Sequence, residues 1–109
     1  MIRLKNKSVN ITQLDPVMWR AAVAVDDLMA KYKRDAIITS GNDGKHMDAS
    51  KHYQNQALDF RTYHLPGGYL GLTARDVATR LTAQLKPLGF DVVLENDHIH
   101  LEHDPKPKG

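Results

Sequence analysis

Apolar residues recur at helical spacing in the first third of the chain, directly after Asp15 and Pro16. Asp15 offers an acceptor for a helix N-cap, and proline is the residue best tolerated in a first helical turn. Most charged residues of the segment fall elsewhere around the helix, so the pattern predicts a core-packing helix of about four to five turns. The apolar positions at this spacing are Ala21, Ala22, Val25, Leu28, Met29 and Tyr32.

A second helical stripe runs over residues 74–86, and the proline and glycine that follow it at 87 and 89 end the pattern. Before the stripe, Thr73 and Asp76 resemble a capping box with aspartate in place of glutamate. We therefore expect a second helix at 74–86. The apolar residues that share its face are Val77, Leu81 and Leu85.

Shorter runs have strand character. Residues 1–14 alternate only briefly and predict an irregular segment or a short strand, whereas "AIITS" at 36–40 is a β-branched run that ends at a Ser-Gly pair. In "ALDFRTY" the apolar side chains alternate with Asp59 and Arg61, which therefore share the opposite face. Loops are expected over 41–56 and 64–72.

The end of the chain predicts a β-hairpin. "FDVVLE" and "HIHLEH" flank Asn96 and Asp97, a pair that tolerates the positive φ angles of a two-residue turn. This register pairs residue 95 with 98 and residue 93 with 100, and directly paired residues share a face. One face of the hairpin would then be polar, and the other would face the core. The polar face collects Glu95, His98, His100 and Glu102.

These elements predict one compact α+β domain over residues 1–103, with a disordered tail at 104–109 that has two prolines and nothing to bury. Two helices would pack on a small, mainly antiparallel sheet whose other face carries the chemistry. We expect a monomer.

Composition narrows the classes of function. The net charge of +2 comes from 15 basic and 13 acidic residues mixed along the chain, which does not favour nucleic-acid binding. Cysteine is absent, so any metal must bind nitrogen and oxygen ligands. No apolar run approaches a membrane span, and the first residues lack the apolar stretch of a signal peptide, so we expect synthesis in the cytoplasm without stable membrane insertion.

"SKHYQNQALDF" at 50–60 places His52 and Asp59 seven positions apart. In an unbroken strand they would point to opposite faces. A loop that turns near Asn55, a residue that tolerates left-handed angles, would bring both side chains to one point. One histidine, one aspartate and one further histidine make a three-ligand zinc site with an open fourth position, which is typical of a catalytic ion.

The motif from Ser50 to Asp59 resembles the Ser-x-His-x-x-Gly-x-Ala-x-Asp signature of the zinc D-Ala-D-Ala carboxypeptidases and phage L-alanyl-D-glutamate endopeptidases, and "HIH" resembles their closing His-x-His. The hedgehog signalling domain shares that zinc-site fold. The resemblance spans about residues 36–103 and departs from the family at Asn55, which replaces a glycine. It implies Zn²⁺ as cofactor, with His52, Asp59 and His100 as metal ligands.

The resemblance also implies catalytic roles. His98 would polarise the scissile carbonyl or stabilise the oxyanion, and the alternative is a His98 that only supports a metal ligand or is solvated. The family commonly places its general base three residues before the last metal histidine, which is Asp97 here, whereas hairpin geometry favours Glu95. We favour Asp97, because a turn tip beside the metal can fold over it, and keep Glu95 as the alternative.

Substrate contacts are expected from residues around this motif. Arg61 shares a strand face with Asp59 and could grip a carboxylate of a stem peptide, or form an ordinary surface ion pair. Ser50, His46 and Tyr53 could contact the substrate from the loop, with structural or solvated roles as alternatives.

These features predict a zinc metallopeptidase that hydrolyses L-Ala-D-Glu or D-Ala-D-Ala bonds in peptidoglycan stem peptides. The family implies a phage or prophage endolysin that acts at the bacterial cell wall after release by a partner such as a holin. Two alternatives remain: a zinc-binding structural or interaction module of the same fold without turnover, and a metal-free adaptor whose histidines are solvated.

Overall fold

The computed structural model describes residues 1–43, 55–68 and 71–105. Its elements, in chain order, are β1 (Ile2–Leu4), α1 (Val17–Ala30), β2 (Ala36–Ser40), β3 (Ala57–Arg61), α2 (Leu72–Leu85), a short 3₁₀ helix (Lys86–Leu88), β4 (Phe90–Leu94) and β5 (His98–His103).

The five strands form one mixed sheet in the order β1-β2-β3-β5-β4. Only the β1–β2 pair is parallel, and the other three pairs are antiparallel. The C-terminal hairpin therefore places β5 between β3 and β4. This order makes β5 a central strand, with neighbours on both sides.

The apolar side chains of both helices and of one sheet face form a single core. Leu58 and Phe60 of β3 and Ile99 and Leu101 of β5 are fully buried in it. Each such side chain stabilises the fold by about 1.5–3 kcal/mol on burial. Because strand side chains alternate, the polar residues between them leave from the other face, away from the helices.

Helix α1 begins one residue after the predicted start, with Pro16 rather than Asp15 as the N-cap residue. The Asp15 carboxylate accepts a hydrogen bond from the Val17 N–H at 3.1 Å, and Pro16 occupies the N-cap position. This bond is the largest cause that lowers the pKa of Asp15 below its usual value. The helix ends at Ala30 after 14 residues, which is about four turns.

Helix α2 begins two residues earlier than expected, with Gly71 at its N-cap and no side-chain cap. The predicted capping box is therefore wrong. The Asp76 carboxylate instead accepts hydrogen bonds from the Tyr32 hydroxyl and from Arg80 Nε, both at 2.9 Å. The contact with Tyr32 joins α2 to the end of α1, a tertiary partner that local spacing could not reveal.

The terminal hairpin has the predicted register, with Val93 opposite His100 and the Glu95 N–H bonded to the His98 carbonyl at 2.8 Å. The predicted positive φ angles at its tip are wrong, because among the described residues only Lys33 and Asn55 combine a side chain with positive φ. The Asp97 carbonyl instead accepts a hydrogen bond from the Thr62 N–H at 3.2 Å. A contact with the end of β3 thus holds the turn.

Over the described residues, the fold has two helices and a five-stranded mixed sheet, which confirms the predicted α+β class and the mainly antiparallel sheet. Of the predicted tail, Asp104 donates its N–H to the Gly89 carbonyl at 2.8 Å, and residues 106–109 lie outside the described part. In the described ranges, neither helix is long and apolar enough to cross a bilayer.

Candidate functional site

Asp59 and His100 face each other across β3 and β5. They are direct partners in the antiparallel register, so both side chains leave the sheet on the same face. Asp59 Oδ1 lies 2.9 Å from His100 Nδ1 and 3.8 Å from His98 Nε2. Asp59 is only 8% exposed. One carboxylate and two imidazoles therefore converge, although the aspartate and the second histidine are 41 positions apart in the chain.

The His100 ring lies between two carboxylates. Its Nδ1 is bonded to Asp59, and its Nε2 lies 2.8 Å from Oε1 of Glu102. The hydrogen bond with Asp59, assisted by that with Glu102, raises the pKa of His100 to about 9, against the opposing effect of burial. At neutral pH, without a metal, the ring is an imidazolium that donates from both nitrogens.

His98 is oriented by its neighbour in sequence. The Asp97 carboxylate lies 2.7 Å from His98 Nδ1, which directs Nε2 towards Asp59. The Asp97 side chain is 62% exposed, whereas that of His98 is 28% exposed. Glu95 is also exposed. Among the described contacts, Asp97 therefore touches this cluster directly and Glu95 reaches it only through its backbone.

The chain before β3 turns at Asn55, which has φ +59° as the sequence predicts. Two bonds fix this turn to the start of α1: the Asn55 carbonyl accepts from the Asp15 N–H at 2.9 Å, and the Gln56 side chain donates to the Asp15 carboxylate at 3.1 Å. The Gln56 carbonyl also accepts from the His103 N–H at 2.9 Å. Helix α1 and β5 together set the direction in which β3 begins.

A β-bulge lies on the other side of Asp59. Strand β2 pairs Ile38 with Phe60 but Ser40 with Asp59, so Thr39 is the extra residue. The Thr39 hydroxyl donates to the Asp59 carbonyl at 3.4 Å. The sequence contains no signal for this bulge, which brings Ser40 beside the aspartate.

Arg61 is the direct strand partner of His98, and its guanidinium lies over the Tyr63 ring, 4.7 Å from the centroid. Its Nε is buried without a hydrogen-bond partner. Among the ion pairs of the described residues there is none with Arg61. The surface ion pair considered from sequence is thus absent there, and a cation whose Nε has no hydrogen-bond partner lies beside the cluster.

Three carboxylates lie together close to β4, and of these the sequence analysis named only Glu102, as part of the polar hairpin face. Ligand atoms of Asp91, Glu102 and Asp104 all lie within 4.8 Å of one another and could hold a metal ion. The hairpin register does predict Asp91 opposite Glu102, so this part of the group could have been found. The position of Asp104 depends on its bond to Gly89.

Four of the predicted site residues lie outside the described part of the chain. They are His46, Ser50, His52 and Tyr53. Their predicted roles, including that of His52 as the third metal ligand, stay predictions. Two of the three proposed metal ligands, Asp59 and His100, lie in the described residues.

The donor chemistry of Asp59 and His100 fits Zn²⁺. Imidazole nitrogen and carboxylate oxygen are both common zinc ligands, and two donors of one tetrahedral ion lie about 3.3 Å apart. The observed 2.9 Å between Oδ1 and Nδ1 would need to increase by only about 0.4 Å. Binding would also require that Nδ1 lose its proton.

No protein-family model, curated protein or solved structure matches this chain. The resemblance to zinc peptidases therefore depends on the residues of the two motif halves alone.

Proposed function

We propose that this protein is a zinc metallopeptidase that hydrolyses a peptide bond in the stem peptides of bacterial peptidoglycan. The observation that carries the proposal is the contact between Asp59 and His100 at 2.9 Å. These residues belong to the two halves of the motif, and the resemblance assigns both as metal ligands. The positive φ of Asn55 adds support, because the family's glycine position requires a residue that tolerates this conformation.

The proposed ligands are His52, Asp59 and His100. Zn²⁺ bound there would supply a water of lowered pKa and a positive charge for the developing oxyanion. Asp59 and His100 would hold the ion rigidly, since each extends from a strand inside the sheet. The Asp59 carboxylate is largely buried, which would limit the access of competing water to its oxygen atoms.

The proton would be handled by Asp97, with Glu95 as the alternative. A carboxylate in this role accepts a proton from the attacking water and then passes it to the leaving amine. Asp97 is favoured because its carboxylate already contacts His98 beside the proposed ligands. In the same scheme, His98 donates a hydrogen bond from Nε2 to the scissile carbonyl oxygen.

Arg61 is proposed to bind a carboxylate of the substrate. Its Nε is buried without a partner, and leaving a buried donor unsatisfied costs about 1–3 kcal/mol. A substrate carboxylate would remove this cost and add a charge-assisted bond. Stem peptides carry such groups, both on D-Glu and at the terminal D-Ala. Ser50, His46 and Tyr53 are proposed as further substrate contacts.

The decisive experiment is mass analysis of fragments released from purified peptidoglycan by the zinc-loaded protein, with and without a chelator. A new amino terminus on D-Glu would identify an L-Ala-D-Glu endopeptidase, and free D-Ala would identify a carboxypeptidase. Asp59→Ala and His100→Ala should abolish release. No release by a folded, zinc-loaded wild-type protein would contradict the proposed activity.

A zinc-binding module without turnover is the second candidate. It is favoured by the engagement of Asp97 Oδ1 with His98 Nδ1, because His98 turns its other nitrogen, Nε2, towards Asp59, so this carboxylate is occupied on the far side of the ring. In that case zinc would bind with a defined stoichiometry and raise the melting temperature, but Asp97→Asn would leave partner binding unchanged. A protein that holds no zinc after dialysis, with a melting temperature insensitive to chelators, would instead be a metal-free adaptor.

The proposed biological context is that of a phage or prophage endolysin. Such a protein would be made in the host cytoplasm as a monomer, released by a holin, and active on the cell wall. Lysis of chloroform-permeabilised bacteria by added protein, compared with intact cells, would test whether access to the wall limits its action.

A further inference from the structure

Glu102 is two residues beyond His100 on β5, on the same face of the sheet. Its carboxylate oxygen Oε1 lies 2.8 Å from His100 Nε2, while Asp59 occupies the other side of the ring at Nδ1. The two nitrogens of one imidazole thus have different carboxylate partners, on opposite sides. The sequence motif assigned no role to Glu102.

A histidine that binds a metal uses one ring nitrogen, and the other keeps its proton and needs an acceptor. Asp59 is itself a proposed ligand, so the nitrogen on its side, Nδ1, is the one placed to share an ion with it. Nε2 then keeps the proton, and Glu102 is the acceptor within reach.

We propose that Glu102 is a positioning residue that holds His100 in the Nε2–H tautomer, so that Nδ1 binds the metal. This inference rests on the proposed zinc site and says which nitrogen of His100 is used. Glu102 does not touch the ion in this arrangement. It fixes the rotation of the ring and, as an anion on Nε2–H, increases the electron density at Nδ1.

The residues around Glu102 favour its carboxylate as the acceptor of the hydrogen bond from His100 Nε2–H. Its strand partner on β3 is Ala57, a small buried residue that leaves the carboxylate free to lie along the strand towards His100. Its partner on β4 is Asp91, and Asp104 is also within 4.8 Å. The negative charge of these neighbours favours a protonated Nε2 beside Glu102.

Asp91 and Asp104 also define a competing role for Glu102. In that role, Glu102 would be a direct ligand of a cation held by the three carboxylates. Asp91→Asn is the matched control, because it removes one negative charge from the same group without removing a hydrogen bond to His100. Glu102→Gln keeps an acceptor oxygen for Nε2–H, whereas Glu102→Ala does not.

The test uses the full chain, with ¹⁵N-labelled histidine, and measures zinc affinity by competition with a chromogenic chelator. Long-range ¹H–¹⁵N spectra of the zinc-loaded protein identify which His100 nitrogen is protonated. We expect the spectra to show Nε2–H in the wild type. Zinc affinity should fall by about 10–100-fold in Glu102→Ala. It should fall by less than about 10-fold in Glu102→Gln and by about threefold or less in Asp91→Asn. Circular dichroism checks that each variant is folded.

Three results would overturn the inference. The first is zinc on Nε2 in the wild type, and the second is an affinity of Glu102→Ala equal to that of the wild type. The third is an equal loss in Glu102→Ala and Asp91→Asn, which would assign the effect to charge in the carboxylate group. If the wild type bound no zinc, the proposed function and this inference would both fail, whereas tight zinc binding through Nε2 would remove only the inference.

Discussion

Asp59 and His100 are direct partners on adjacent strands, and the carboxylate of one lies 2.9 Å from Nδ1 of the other. This contact places the Asp59 carboxylate beside the His100 imidazole on one face of the sheet. Its consequence for the metal-free protein is a pH dependence of stability that can be worked out from the pKa of His100.

The folded-state pKa of His100 is raised to about 9 from its ordinary value of 6.5, chiefly by Asp59. A raised pKa means that the folded state binds the proton more tightly than the unfolded state. This contribution to stability is complete below pH 6.5 and is lost as the pH rises through 9. We expect urea midpoints in chelator to fall across this interval, and an NMR titration to locate the histidine near 9. Titration of His100 near its ordinary value would contradict the contact.

Asn55 is expected to tolerate glycine but not β-branched residues. Its φ of +59° is unfavourable for residues with a larger Cβ substituent, so Asn55→Val should lower the free energy of unfolding by about 1–2 kcal/mol or more. Asn55→Gly should stay within about 0.5 kcal/mol. Asn96→Val is a control, because Asn96 lies in a turn without positive φ. Equal effects at the two asparagines would show that left-handed backbone is not the cause.

The end of β2 depends on the lack of a side chain at Gly41. A Cβ there would overlap the carbonyl oxygen of Asn10. Both segments are also joined by Asp43, whose Oδ1 accepts from the Gly41 N–H at 2.8 Å and from the Asn10 N–H at 2.7 Å. Gly41→Ala should therefore destabilise the protein by about 1–3 kcal/mol, measured by chemical denaturation. An unchanged unfolding midpoint would mean that the two segments separate easily.

The two candidate general bases, Asp97 and Glu95, can be distinguished by replacing each carboxylate with the corresponding amide. If Asp97 takes the proton, Asp97→Asn should reduce turnover of a stem-peptide substrate by about 100-fold or more, whereas Glu95→Gln should stay within a few-fold. Zinc content and melting temperature should match the wild type in both variants, since neither residue is a proposed ligand. The reverse ranking would assign the base to Glu95.

The local pattern of apolar and polar residues was sufficient to predict most of the helices and strands. The period of apolar residues predicted both helices, and alternation in "ALDFR" and "HIHLE" predicted the strands and their polar face. The hairpin register followed from the two residues between its strands. The turn at Asn55 was also predictable, because asparagine is one of the few residues with a side chain that readily adopt positive φ. Each of these features depends on neighbours within a few positions.

Contacts between distant segments decided the rest. Asp76 bonds to Tyr32, just after α1, and Asp97 bonds to Thr62, just after β3, so the expected capping box and the expected turn angles were both wrong. The bulge at Thr39 arises from the register between β2 and β3, and the contact of Asp59 with His100 arises from the pairing of β3 with β5. Sequence periodicity predicts which face a side chain leaves from, but only the packed sheet determines which side chains meet there, because their partners lie tens of residues away in the chain.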